Sequence, residues 1–308
     1  MVCCAPDSAT QSLVCATAAR YAAAVKFHRV FWAALAAATL VASPAHADRF
    51  ALEYDGNLFG IAPLGGITFD FNAGSADYDV RATMRTGGVL RWFDKTDIVA
   101  AAEGRIDNGS VRWSRYDLDH LYSGKRRSTS MRLSPSGEFS ADIRPNYGHW
   151  GDPPATAEDR RTSRDPLSSL AAMAVDVART RQCAGAYATF DGLTRYDLVL
   201  SGGEVRRYDD GGYEGQALKC RMRYVQLRGF NLAKDRERRS QPEGEIWFAL
   251  AEDSNVAPPI RVVIPTPFGR VGVHLTKWRR ASVEVITDPN APEVAAPPAP
   301  PATPATPL

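Results

Sequence analysis

The side chains that could do chemistry in this sequence are few. Beyond the first fifty residues there are three histidines: His120, His149 and His274. His149 stands next to Trp150, inside a stretch (146–164) rich in glycine, proline and charge. A histidine beside an aromatic platform on a long loop can serve as a general base, and loops of that length inside compact domains are usually functional or mobile. His149 and Trp150 are therefore the candidate loop site for a hydrolase acting on envelope polymers. Asp117, Asp119 and His120 carry metal-ligand side chains. They lie in an alternating stretch, however, which directs the two carboxylates to one strand face and the imidazole to the other. One ion could not easily be held by all three, so no metal site is assigned. His274, between Val273 and Leu275, reads as a solvent-facing or satisfied sheet histidine. There is no G-x-S-x-G elbow, S-x-x-K, H-E-x-x-H, phosphate loop or dinucleotide fingerprint. No catalytic residue and no cofactor is assigned, and the protein reads as more a binder than an enzyme.

Cysteine is the other reactive type. Cys3, Cys4 and Cys15 precede the expected mature chain, which keeps only Cys183 and Cys220. An even number in an oxidising compartment reads as a structural disulfide, with two free buried thiols as the alternative. The missing C-x-x-C spacing argues against a redox pair. Leu218, Cys220, Met222 and Tyr224 alternate with Lys219, Arg221 and Arg223, which places the Cys220 sulfur on the apolar face of a strand.

The compartment is read from the amino terminus. A basic segment, Lys26–Arg29, precedes an apolar run from Val30 to Val41 and then Ser43-Pro44-Ala45-His46-Ala47. The small-x-small spacing of Ala45 and Ala47 predicts signal peptidase cleavage before Asp48, with an uncleaved anchor as the alternative. The run is too short for a membrane helix. Residues 1–47 are thus expected to be a signal peptide for the general secretory route, delivering the chain to the periplasm. Residues 1–24 read as a misassigned start upstream of Val25. Removing Arg20, Lys26, Arg29 and Asp7 from the 37 basic and 35 acidic residues leaves 34 of each. A neutral mature chain argues against a nucleic-acid partner. Basic clusters remain at Lys125–Arg127, Arg236–Arg239 and Arg279–Arg280. They read as solvated strand ends, or as contacts to anionic lipid headgroups or wall polymers.

These residues must be positioned by strands. Period-two alternation and turn formers predict strands over 50–59, 65–73, 78–86, 98–106, 111–121, 128–133 and 139–144, with one helical turn over 89–93. Asn108-Gly109 and Pro135-Ser136-Gly137 mark hairpins. After the 146–164 loop, Asp165-Pro166 caps and starts a helix carrying Leu167, Leu170, Ala174, Val177 and Ala178 on one face. Its small apolar residues suit packing into a concave sheet. Strands resume over 187–190, 193–200, 218–227, 246–251, 260–264 and 271–278, with Asp191-Gly192 as a hairpin turn. The expectation is one β-rich domain over 48–288, in halves 48–145 and 165–288. A Pro/Ala/Thr-rich tail over 289–308 cannot bury a core and should be disordered or extended. The fold class is mainly β: a curled antiparallel sheet or incomplete β-barrel with one packed α-helix. Trp92, Phe93, Trp113, Trp150, Trp247 and Trp278 lie in or beside strands, where core packing competes with an apolar ligand site on the concave face.

Several motifs together resemble the bacterial family of domain of unknown function 3108. They are D-P-L-S-S-L from Asp165, F-D-G-L-T-R-Y-D-L from Phe190, K-C-R-M around Cys220, R-G-F at Arg228 and P-T-P-F-G at Pro265. The resemblance covers about residues 50–280. It implies an exported envelope protein with a curled sheet like that of periplasmic lipoprotein carriers. It carries no reaction and no catalytic residue. The lack of a lipid-attachment cysteine after the leader departs from a lipoprotein. The functional expectation is a non-enzymatic periplasmic protein that supports envelope integrity by binding a lipid or other apolar component. A hydrolase of envelope polymers and a scaffold using an exposed sheet edge are the rivals.

Overall fold

The computed structural model describes residues 45–74, 76–88, 90–93, 95–146, 151–230, 242–266 and 269–285. The first half supplies β1 (Ala45–Leu58), β2 (Ala62–Ala73), β3 (Asp77–Thr86), α1 (Leu90–Phe93), β4 (Thr96–Asp107), β5 (Ser110–Tyr122), β6 (Lys125–Leu133) and β7 (Phe139–Arg144). Two helices follow, α2 (Ala157–Thr162) and α3 (Pro166–Thr180). The second half supplies β8 (Ala186–Phe190), β9 (Arg195–Asp210), β10 (Tyr213–Arg228), β11 (Gly244–Ala249), β12 (Pro259–Thr266) and β13 (Gly269–Val285).

All thirteen strands join one sheet in the order β7-β6-β5-β4-β3-β2-β1-β13-β12-β11-β10-β9-β8. Each half is a meander, and the long antiparallel pairing of β1 with β13, from Ala45↔Val285 to Leu58↔Val271, fuses them. The apolar residues of alternating strands thereby face one concave side. Phe50 and Leu52 of β1, Phe71 of β2, Val80 of β3, Ile246 and Phe248 of β11 and Leu275 of β13 are all essentially buried there.

Helix α3 fills that concavity. Asp165 caps it by accepting from the Ser168 N–H at 2.9 Å, Pro166 opens it, and Arg181 ends it with a left-handed φ of 55°. Ser168, Ser169, Ala171–Val175 and Val177 are buried, so the helix is enclosed on more than the one face that the Leu167–Ala178 pattern marks. A helix inside a curled sheet meets apolar walls on several sides, and its small side chains let those walls approach. The 250–258 segment covers it from a further direction, with the Ala257 N–H donating to the Ala174 carbonyl at 2.9 Å.

Among the described residues no ladder joins edge strands β7 and β8. Side chains bridge the seam instead. Phe139 of β7 packs edge-on against both Trp113 and Phe190, with ring centroids 6.2 and 6.3 Å apart. Arg127 of β6 donates to the Asp191 carbonyl at 3.0 Å. Trp113 donates to the Ser163 carbonyl at 2.9 Å. Arg164 bonds to β8 through its backbone on both sides, at Ala188 and Phe190. The result is an incomplete barrel whose gap is packed.

Several elements differ from the sequence expectation, among them β13, which runs to Val285, past the expected end at 278. The 146–164 stretch contains α2, held by a capping box in which the Thr156 side chain accepts from the Asp159 N–H and the Asp159 carboxylate accepts from the Thr156 N–H. Aspartate at the third helical position performs the reciprocal role that glutamate or glutamine usually takes. Desolvation opposes ionisation of Asp159, but its bonds from Thr156 and the charges of Arg228 and Arg195 together hold its carboxyl below the usual range. Thr156→Ala should therefore cost about 1 kcal/mol, read as a fall in thermal midpoint; an unchanged midpoint would show that α2 carries none of the seam's stability. Strands β9 and β10 also run well past the expected ends, pairing from Tyr213↔Asp210 to Arg228↔Arg195. The expected end of β9 is at 200; Gly202 and Gly203, with φ of 76° and 130°, instead form a bulge that the strand passes through.

Candidate functional site

The two cysteines of the mature region meet. Cys183, three residues beyond the end of α3, is disulfide-bonded to Cys220 of β10, with Cα atoms 5.4 Å apart across a separation of 37 residues. Both are buried. A Cβ at Gly203 would sit 3.4 Å from the Cys183 sulfur, in ordinary contact, so the bulge lies against the bridge and glycine is needed there for its φ of 130°. The cross-link pins the carboxy-terminal end of α3 to the sheet.

The amino-terminal end of α3 is pinned by a buried polar chain. The Tyr78 hydroxyl donates to Ser168 Oγ at 2.6 Å, and Ser168 Oγ donates in turn to the Asp165 carboxylate. Asp165, Ser168 and Ser169 are fully buried, and Ser169 bonds to Thr189 of β8 at 2.8 Å. Burial pushes the Asp165 carboxyl up to about 6, against the opposing hydrogen bonds from Ser168. The same burial raises the Tyr78 hydroxyl.

Between these pins, at the carboxy-terminal end of α3, lies an open cleft of about 280 Å³. Ala73, Ile106, Val175, Ala178 and Val256 form its apolar wall, and the exposed guanidinium side of Arg179 stands at its mouth. Arg179 pairs with Asp176 at 3.0 Å in an exposed i,i+3 contact, which is weak and leaves the cation accessible. An apolar wall with one cation at the opening suits a small amphipathic anion. Sequence reasoning marked Ala178 only as part of the packing face of α3 and singled out none of these residues as a site. The available signal was the apolar pair Val256-Ala257 between Asn255 and Pro258, which falls outside any strand yet is almost completely buried.

The other sequence candidates are dispersed. His149 and Trp150 lie outside the described residues, as does the Arg236–Arg239 cluster. Asp117 accepts from Arg115 at 2.6 Å, Ser130 at 2.7 Å and Arg132 at 3.2 Å, and Asp119 is paired with Arg126. Desolvation of Asp117 is outweighed by those bonds, so both carboxyls stay below the usual range. His120 lies beside Tyr122, and its neighbours Asp119 and Leu121 point to the opposite face. The His274 ring shares a hydrogen bond with the Asn57 amide at 3.0 Å. Arg280 is spent on Asp48 at 2.8 Å and on the Glu252 and Asp253 carbonyls, while Arg279 approaches Glu53 at 3.5 Å.

Among the described residues no helix is long and apolar enough to cross a membrane. No curated protein matches the chain. Among solved structures, the crystal structure of a beta-barrel-like protein of domain of unknown function DUF1849 from Brucella abortus is similar, at 12% identity and a TM-score of 0.48, over 77% of this chain and 98% of that one. A family model described as protein of unknown function (DUF3108) matches residues 50–276, within which lie all or most of β1 to β12, the start of β13, α3 and both bridged cysteines. The chain belongs to the DUF3108 family.

Proposed function

We propose that this is an exported, non-enzymatic protein of the bacterial cell envelope that holds an amphipathic envelope component. The observation that carries the reading is the cleft at the end of α3, with its apolar wall and the Arg179 cation at its mouth. An acyl or prenyl segment would lie against the half-buried Ile106 and Ala178 of that wall, and an anionic head would face Arg179. The leader-like amino terminus and the buried disulfide support an oxidising compartment outside the cytoplasm.

Native mass spectrometry of protein purified from the periplasm, together with titration of a fluorescent fatty acid, tests the proposal. Wild type should carry or take up the lipid. Ala178→Trp, which fills the cleft from a half-buried position, should weaken uptake about tenfold, a difference of roughly 1.4 kcal/mol. A clean apo mass together with no uptake of the probe would sink the reading. In cells, deletion of the gene should raise sensitivity to detergents and to bulky antibiotics, and the A178W variant should fail to restore resistance.

A further inference from the structure

One rim of the barrel, opposite the cleft, carries most of the large apolar side chains that are exposed among the described residues. Ile61 is 84% exposed, Trp92 and Phe93 80% each, and Phe59 62%. Leu121, Tyr122 and Ile264 are exposed as well. They come from the β1–β2 turn, α1 between β3 and β4, the end of β5 and the end of β12. Those elements are consecutive around the sheet, since the order β6-β5-β4-β3-β2-β1-β13-β12 brings their connections to one arc. α1 buries none of its residues, so its Trp-Phe pair does nothing for packing. The β1–β2 turn meets its neighbours on both sides, through the Phe59 N–H on the Arg270 carbonyl at 2.8 Å and the Gly87 N–H on the Leu64 carbonyl at 2.9 Å. The rim is therefore one built surface, and scattered single exposures would not need explaining.

Charge on this arc is one-sided. The segment 58–66 has no charged residue. The flanking segments 85–97, 119–127 and 264–271 hold six basic residues (Arg85, Arg91, Lys95, Lys125, Arg126 and Arg270) besides Arg127, which turns onto Asp191 at the seam, against three acidic ones. Two of those acids, Asp97 and Asp119, already pair with Arg91 and Arg126.

We infer that this rim docks on the surface of an anionic phospholipid bilayer. Protruding tryptophan and phenylalanine enter the headgroup layer, where amphipathic and aromatic rings are favoured. The surrounding lysines and arginines meet the negative surface potential. The inference does not rest on the cleft, which lies at the other end of β2, roughly 35 Å away by strand rise.

The test uses the purified protein, its amino terminus verified by mass, with vesicles rich in phosphatidylglycerol and vesicles of phosphatidylcholine alone. Co-sedimentation should favour the anionic vesicles and weaken as salt rises. The double variant Trp92→Ser/Phe93→Ser should lose about tenfold or more in binding, while its thermal unfolding stays that of wild type because neither side chain is buried. Trp92→Phe should keep the binding but lose quenching of tryptophan emission by brominated lipid. Unchanged binding of the double variant would overturn the inference. Equal binding to both vesicle types overturns it too. A lipid-free dimer that the double variant abolishes would assign the rim to a second copy of the chain instead.

Discussion

Replacing both Cys183 and Cys220 by alanine should lower unfolding stability by about 3–4 kcal/mol, the value the chain-entropy account assigns to a loop of this length. The bridge spans 37 residues and is buried at both sulfurs, and it joins elements that the chain otherwise connects through β8, β9 and half of β10. Cutting it releases more unfolded-state freedom than it removes native contacts, because Val177, Ala217 and Leu218 remain buried around the site. Urea unfolding should show a lower midpoint for the double variant, and a similar midpoint for wild type in strong reductant. If reduction leaves the midpoint of wild type unmoved, the cross-link adds nothing to the fold. The seam between β7 and β8, where no ladder operates, should be the first region to gain hydrogen exchange in the variant.

The second large effect belongs to Asp165. Its carboxyl titrates at about 6 in the folded chain, because burial disfavours the charge more than the Ser168 bonds favour it. In the unfolded chain an aspartate titrates near 3.9. The folded state therefore binds the extra proton between those values, and stability from this group is present below about pH 4 and lost as pH rises through about 6. The loss amounts to roughly 3 kcal/mol, taken from the separation of the two values. Asp165→Asn keeps a side-chain oxygen for the Ser168 N–H and retains a good helix cap, but it cannot ionise. Subtracting the variant's stability from that of wild type isolates Asp165 from the surface carboxylates, whose paired partners act with the opposite sign. The difference should be near zero at pH 4 and favour the variant by a few kcal/mol at pH 7. A flat difference across that range would place the Asp165 carboxyl back in the ordinary range and leave α3 with a conventional charged cap. Asp165→Ala should be worse than Asn at every pH, since it leaves the Ser168 N–H and hydroxyl without their acceptor in a fully buried place.

The features legible in the sequence are those with a short-range signal. Alternation around Cys220 placed its sulfur inward, and the structure buries Leu218 and Cys220 while exposing Arg221 and Arg223. Aspartate followed by proline marked the start of α3 at the residue where the cap is found. Two remaining cysteines left one possible intrachain bridge. The opposite faces of Asp117 and His120 followed from strand period alone. By contrast, the Thr156–Asp159 capping box was readable in principle but stood among prolines and charges that masked it, and the Gly202-Gly203 pair marked a bulge where local propensity indicates a break.

The primary sequence by itself thus determined strand alternation, turn positions, the capped helix and the family motifs, because each depends on neighbours within a few residues. Tertiary structure alone decided how the sheet curls onto α3, which side chains close the β7–β8 gap, how Val256 comes to line a cleft with Val175, and how four distant connections raise one aromatic, basic rim. Those outcomes depend on contacts such as Asp48 with Arg280, 232 positions apart. Such contacts form only when the ends of two meanders pair, and no local periodicity carries that information.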